Sequence, residues 1–300
     1  MTPQPGIFAL GTAAQCHIEL DLLPGADPAA LVHALANFDE PAATLGGANL
    51  VIGFRPSLWS AAVPDSPAVH DFDRPVVGPD GFTMPATQHD AWLWIAGPSP
   101  DLVFDVALSA LAGVAAVAQP VTEVTGWPYQ RLRDLTGFID GTENPSLIEA
   151  PAVVAVPDGE PGAGSTVLLL QQWSHDPRWL TLDTHTQELV IGRTKADSIE
   201  LDEKEMPPDS HVSRNVIEEN GEELAIFRRN TPYGGPTDHG TVFVGFCAQQ
   251  RVLHLMLERM AGVGDGVRDA LTRWTTPLTG AYYVVPSVDA LRQWRDPEED

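Results

Sequence analysis

Apolar residues along this chain follow two periods in turn, and the same succession occurs twice. Residues 7–23 read as an extended segment. After Pro24-Gly25, the spacing of Leu31, Val32, Leu35 and Ala36 puts them on one face of a helix over residues 27–36. Residues 48–54 and 90–96 then read as strands, 102–117 as a helix and 121–127 as a closing strand, which gives the order β-α-β-β-α-β. The second half repeats it. Residues 166–173 predict a strand, 177–190 a helix, and 224–228 and 241–246 two strands. A helix over 250–260, with an extension at 267–274, and a last strand over 281–285 complete the copy.

Two copies of this split βαβ unit predict an α+β protein. Two ferredoxin-like halves, each with helices on one face of an antiparallel sheet, are expected to form a dimeric α+β barrel-type fold. The N-terminal half is expected over residues 1–128, a connecting loop over 129–164 and the C-terminal half over 165–300. Proline, glycine and acidic residues gather in the connection, as in Pro157-Asp158-Gly159 and Pro161-Gly162-Ala163-Gly164. An irregular insertion at residues 192–219 interrupts the second copy, and loops of that length inside compact domains are often functional.

Charge narrows the partners. With 41 acidic against 17 basic side chains, the net charge of -24 repels phosphate backbones and anionic bilayers, so neither nucleic acid nor membrane is expected. Cys16 and Cys247 are the only cysteines and form no CxxC pair, which speaks against zinc–thiolate chemistry and a secreted disulfide scaffold. The opening residues, Met1-Thr2-Pro3-Gln4-Pro5-Gly6, lack a basic stretch followed by an apolar one. No apolar run approaches the roughly 18 residues of a membrane helix. A cytoplasmic protein is expected.

Three segments stand out as chemistry. In Gly137-Phe138-Ile139-Asp140-Gly141-Thr142-Glu143-Asn144-Pro145, one acid sits between residues that permit turns and close backbone approach, which places Asp140 on a constrained loop. An isolated Asp-Gly would only cap a turn; nine such residues together carry more weight. Ser210-His211-Val212-Ser213-Arg214-Asn215 follows Pro207-Pro208 and offers His211 as a metal ligand. In Ala225-Ile226-Phe227-Arg228-Arg229-Asn230, period-two alternation puts Arg228 and Asn230 on one face of an extended chain. Zinc spacings and phosphate-binding glycine loops are absent. One histidine, one arginine and one aspartate fit a large prosthetic group that receives an axial ligand on one side and a polar face on the other.

At these residues the chain resembles the dye-decolorizing peroxidases, whose Gly-Phe-x-Asp-Gly-Thr motif corresponds to residues 137–142. Ile191-Gly192-Arg193-Thr194-Lys195, Ser210-His211-Val212, Arg228-x-Asn230 with Pro232-Tyr233-Gly234, and Thr279-Gly280-Ala281-Tyr282-Tyr283 resemble further family segments in the family's order. The resemblance covers effectively the whole chain and points to the compact class B branch. It implies haem b (iron protoporphyrin IX) bound in the C-terminal half. The implied activity is reduction of hydrogen peroxide through a ferryl intermediate, with dyes, phenols or other small aromatics as electron donors. His211 matches the proximal iron ligand, with Asp269 as the carboxylate behind it and Asp265 close by in sequence. Asp140, Arg228 and Asn230 match the distal catalytic residues. Arg193 matches an arginine that pairs with a haem propionate, and Arg214 is a candidate for the same task. The resemblance also implies a homo-oligomer. Residues 293–300 do not resemble the apolar tail that sends some members into encapsulin shells. A haem-binding or haem-delivery protein with incidental peroxidase activity is the alternative.

Overall fold

The structure is a computed structural model that describes residues 1–38, 47–130, 132–219 and 221–297; the last three residues of the acidic C-terminal segment lie outside them. Ten strands carry the architecture: β1 (Ala14–Leu22), β2 (Asn49–Phe54), β3 (Ala91–Gly97), β4 (Ala118–Gly126), β5 (Thr166–His175), β6 (Phe227–Arg228), β7 (Thr231–Gly234), β8 (His239–Cys247), β9 (Thr275–Pro277) and β10 (Ala281–Val285). The first four pair in the order β4-β1-β3-β2, and the C-terminal strands in the order β7-β8-β5-β10, all antiparallel. The two sheets meet at two seams, each a single residue pair: Tyr233 with Gly126, and Val284 with Phe54. With β8 paired to β5, the eight strands close into one ring.

Alternation along the strands splits the side chains between the inside of the ring and its outside. Inside lie Trp92, Trp94, Leu168, Leu170, Val242, Val244, Phe246 and Tyr283. Outside the N-terminal sheet, Cys16, Ile18 and Leu20 pack against helices α1 (Pro28–Ala36), α2 (Pro56–Ala62) and α3 (Pro100–Val114). Asp27 starts α1 by accepting from the Ala29 amide at 3.0 Å. Outside the C-terminal sheet, Val167, Leu169 and Tyr282 pack against a long helix, α7 (Gln250–Ala261). Short helices α4 (Ala150–Val154), α5 (Thr184–Ile191), α6 (His211–Asn215) and α8 (Val288–Arg292) fill the connections.

Three expectations change. The helix expected over 177–190 is a 3-10 turn, Pro177–Thr181, followed by α5, because Asp183 caps a fresh start by accepting from the Thr186 amide at 3.0 Å. The strand expected over 224–228 pairs only at Phe227 and Arg228, since Leu224, Ala225 and Ile226 line a cavity instead. The extension expected at 267–274 is a separate 3-10 turn, Ala270–Arg273, capped by Asp269.

Candidate active site

Between the outer face of the C-terminal sheet and helices α6 and α7 lies a cavity with about 1450 Å³ of empty space counted to its open mouth. Its floor is the cavity-facing row of β5 (Leu169, Gln171, Trp173, His175) with Thr241 and Phe243 of β8.

One wall presents His211. Ser210 caps α6 by accepting from the Ser213 amide at 3.2 Å, and Ser213 donates its hydroxyl to the Pro207 carbonyl at 3.0 Å, so the helix starts where the Pro207-Pro208 approach sets it. His211 is the first residue of that helix. Its Nδ1 lies 2.7 Å from Oδ2 of Asp269, a fully buried carboxylate whose other oxygen accepts from the Leu271 amide at 2.9 Å. Donation from Nδ1 fixes the tautomer that carries its lone pair on Nε2. Asn215, four residues on and on the same helix face, donates to the His211 carbonyl at 2.8 Å and to Asp269 at 3.4 Å.

The loop of residues 134–145 also lines the cavity. Gly137 and Gly141 both have positive φ, 89° and 75°, and a side chain at Gly141 would press on the Asn144 amide at 3.0 Å. That amide is in use: Asn144 donates to the Arg228 carbonyl at 2.8 Å and accepts from its N–H at 2.9 Å, docking the loop onto β6. Asp140 thereby meets Asn230, which donates to Oδ1 at 3.2 Å and accepts from the Val244 amide at 3.2 Å. Arg228 also lines the cavity, whereas Arg229 turns to the opposite side and donates to the carbonyls of Ile7 and Ala9. Burial pulls the Arg229 guanidinium down to about 10, against the opposing charge of Asp140.

Arg193 reaches the cavity with both terminal guanidinium nitrogens engaged, on the Ser198 carbonyl at 2.9 Å, on Glu143 at 2.6 Å and on Glu200. Arg214 does not reach it. Its guanidinium pairs with Asp265 at 2.8 and 3.0 Å and donates to the Arg259 carbonyl, so the two residues the sequence left in question satisfy each other behind α6. The cavity also holds polar residues that motif reasoning passed over. Asp134 accepts from the Thr136 amide at 2.8 Å, and burial, reinforced by the charge of Asp140, pushes its carboxyl up to about 6. Burial, reinforced by His239, pulls His175 down to about 4; its Nε2 lies 3.2 Å from the Thr241 hydroxyl. Gln171 is 2% exposed and its Nε2 has no partner among the described residues. Only period-two alternation from Leu169 could have pointed to Gln171 and His175, and it says nothing of which face is hollow.

Kinship agrees with the contents of this cavity. The family described as Dyp-type peroxidase, C-terminal, matches residues 131–290. The dye-decolorizing peroxidase of Mycobacterium tuberculosis is 34% identical over 97% of this chain and 90% of its own. The chain belongs to the dye-decolorizing peroxidase family. A second member, from Mycolicibacterium paratuberculosis, is 40% identical over 70% of this chain, a match that spans 61% of that relative. Among solved structures, an aspartate-to-histidine variant of Rhodococcus jostii DypB in complex with haem superposes with a TM-score of 0.89 at 32% identity, covering 95% of this chain and 97% of that one. A putative Dyp-type peroxidase from Shewanella oneidensis gives 0.88 at 28% identity, covering 97% and 98%.

Proposed function

We propose that the protein binds haem b in this cavity and reduces hydrogen peroxide with electrons from dyes, phenols or other small aromatic donors. The observation that carries the reading is one cavity lined both by a carboxylate-backed imidazole and by Asp140, Asn230 and Arg228. The donor set suits the group. Nε2 of His211 would be the nitrogen that holds the iron, Arg193 would pair with a propionate by exchanging its Glu143 or Glu200 contact, and the unpartnered Gln171 amide offers a further donor to a polar edge or a water.

Bound haem would supply the iron at which peroxide is reduced. Asp269 holds the His211 imidazole in one tautomer and enriches its electron density. Asp140 takes the proton from one peroxide oxygen and returns it to the other as the O–O bond breaks. Arg228 offsets the negative charge that gathers on the departing oxygen, and Asn230 holds Asp140 at the angle this transfer requires. Overall, peroxide, two electrons and two protons give two waters.

We read residues 1–128 and 165–300 as the two halves, joined by 129–164, with haem in the second. A cytoplasmic homo-oligomer suits the chain. Among the described residues no helix is long and apolar enough to cross a membrane, and exposed Phe104 and Leu108 lie one turn apart on α3, where a second copy could cover them. A bare haem carrier has little use for an acid and a guanidinium in the same cavity as the imidazole, and the relatives are named as peroxidases. Haem-loaded protein should show a Soret band and oxidise a dye only when peroxide is added, and His211→Ala should lose haem or its axial spectrum. A haem-loaded preparation with no turnover between about pH 4 and 7 would reject the reading.

A further inference from the structure

Inside the ring, away from the cavity, is a polar and aromatic cluster that peroxide chemistry in the cavity leaves unused. Gln15, His17 and Glu19 project inward from β1, each at most 8% exposed. His17 stands opposite Trp94 and Glu19 opposite Trp92 in the β1–β3 register. The imidazole stacks on both indoles, with centroids 5.8 Å from Trp94 and 5.9 Å from Trp92 and interplanar angles of 10° and 18°. Trp92 in turn stacks on Tyr283, at 6.3 Å and 21°. Gly53 makes the room: a side chain there would meet Cβ of Tyr283 at 3.0 Å and Trp92 at 3.3 Å.

The two ends of this stack differ. At the Trp94 end, the Arg229 guanidinium lies 5.3 Å from the ring centroid. Arg229 sits between Arg228 and Asn230, which line the cavity, so that end is separated from the cavity by one strand. At the other end, Tyr283 donates its hydroxyl to Oε1 of Glu19 at 2.6 Å, and Thr122 donates to Oε2 at 2.9 Å. Two accepting oxygens are the pattern of an ionised carboxylate. Burial raises the proton affinity of that carboxylate, so it is a ready base for the phenol.

His17 is neutral here, since burial pulls it down to about 3. Thr231 donates to Gln15 at 2.6 Å and accepts from His17 Nε2 at 3.0 Å, which leaves His17 Nδ1 as a bare acceptor. Neither that atom nor the Trp92 indole N–H has a partner among the described residues. Each such buried orphan carries an uncompensated desolvation cost, and an ordinary barrel core would hold apolar side chains here.

We propose that Tyr283, with Glu19 as its base and Trp92 and Trp94 as the conduit, is an internal electron donor that absorbs oxidising equivalents when no external donor is present. The inference rests on the peroxidase reading, which supplies the oxidant, hydrogen peroxide. One electron leaves Tyr283 and travels through Trp92 and Trp94 toward the cavity, where, together with the one electron that bound haem would contribute, it completes the two-electron reduction of peroxide. The phenolic proton moves to Glu19, leaving a neutral tyrosyl radical beside a protonated carboxyl. Direction follows from the charges. The Arg229 cation disfavours positive charge on Trp94, whereas proton transfer to Glu19 removes it at Tyr283. Trp92 and Tyr283 are fully buried, so no bulky substrate touches them, and the site stores a radical rather than oxidising a surface-bound dye.

The test is freeze-quench electron paramagnetic resonance on haem-loaded enzyme mixed with peroxide and no reductant. A tyrosyl signal is expected, lost in Tyr283→Phe and lost or strongly reduced in Glu19→Gln, with steady-state dye oxidation unchanged and faster haem bleaching in excess peroxide. Should either variant fail to fold, peptide mapping of peroxide-treated wild type reads the same site, with oxidation at Tyr283 or Trp92 expected. Wild type that turns over peroxide but yields no radical, an undiminished signal in Tyr283→Phe, or an unmarked Tyr283 and Trp92 overturns this inference alone. Absence of any turnover overturns it together with the peroxidase reading.

Discussion

Asp140 and Arg228 are held by backbone geometry more than by each other. Asn144 grips both main-chain polar groups of Arg228, and Asp140 takes its hydrogen bond from Asn230. Removing one side chain should therefore leave the other in position. Asp140→Ala should lower kcat/KM for peroxide by about 10²–10⁴-fold through the missing proton acceptor. Arg228→Ala should cost about 10²–10³-fold through lost charge stabilisation, and stopped-flow kinetics with haem content held equal checks both. These residues were legible in the sequence because their signals are local: glycines around one acid, and alternation that separates Arg228 from Arg229. Arg193 was legible as a cavity residue but not as one paired with Glu143 and Glu200, since that pairing spans 50 positions to Glu143. Arg214 was misassigned because a guanidinium in a motif carries no sign of where it points, and Asp265 is its partner.

Elements place His211. A helix of five residues has little stability of its own, and α6 stands because Ser210 caps its start and Arg259 of α7 donates to the Ser213 and Val216 carbonyls at its end. Ser210→Ala should lower stability by about 0.5–2 kcal/mol and weaken haem retention, measured by equilibrium unfolding and by haem transfer to an apo-acceptor. A haem affinity unchanged alongside a normal loss of stability would separate the cap from the ligand. The principal strands and longer helices followed from periodicity, and β10 matches its expected limits. Periodicity missed β7, where Pro232 argues against a strand; it pairs with β8 all the same, and joins β4 only at Tyr233. It also ran through the break at Asp183, where a capping acid weighs more than the apolar pattern on either side.

At the scale of the whole molecule, acid stability should be set by imidazoles that fold neutral. His175 is pulled down to about 4 from an ordinary value of 6.5, so the unfolded chain binds more protons between those limits. Its contribution is thus fully present above pH 6.5 and is lost as pH falls toward 4, amounting to at most roughly 3 kcal/mol. His175→Asn should flatten that part of the stability–pH curve, as followed by urea unfolding at successive pH values. His17, pulled down to about 3, adds a similar slope. The barrel-type fold expected of two ferredoxin-like halves implied a closed ring, but the seams themselves were not legible, because a repeated βαβ pattern does not say which residues meet at the sheet edges. Each seam is a single ladder pair, Tyr233 with Gly126 and Val284 with Phe54. Backbone hydrogen bonding therefore does little to weld the sheets together, and cohesion falls to the interdigitated rings and aliphatic chains in the lumen. Mechanical load applied across the seams would be borne by those side chains, so the molecule should yield first by shearing one sheet past the other, with each sheet still intact.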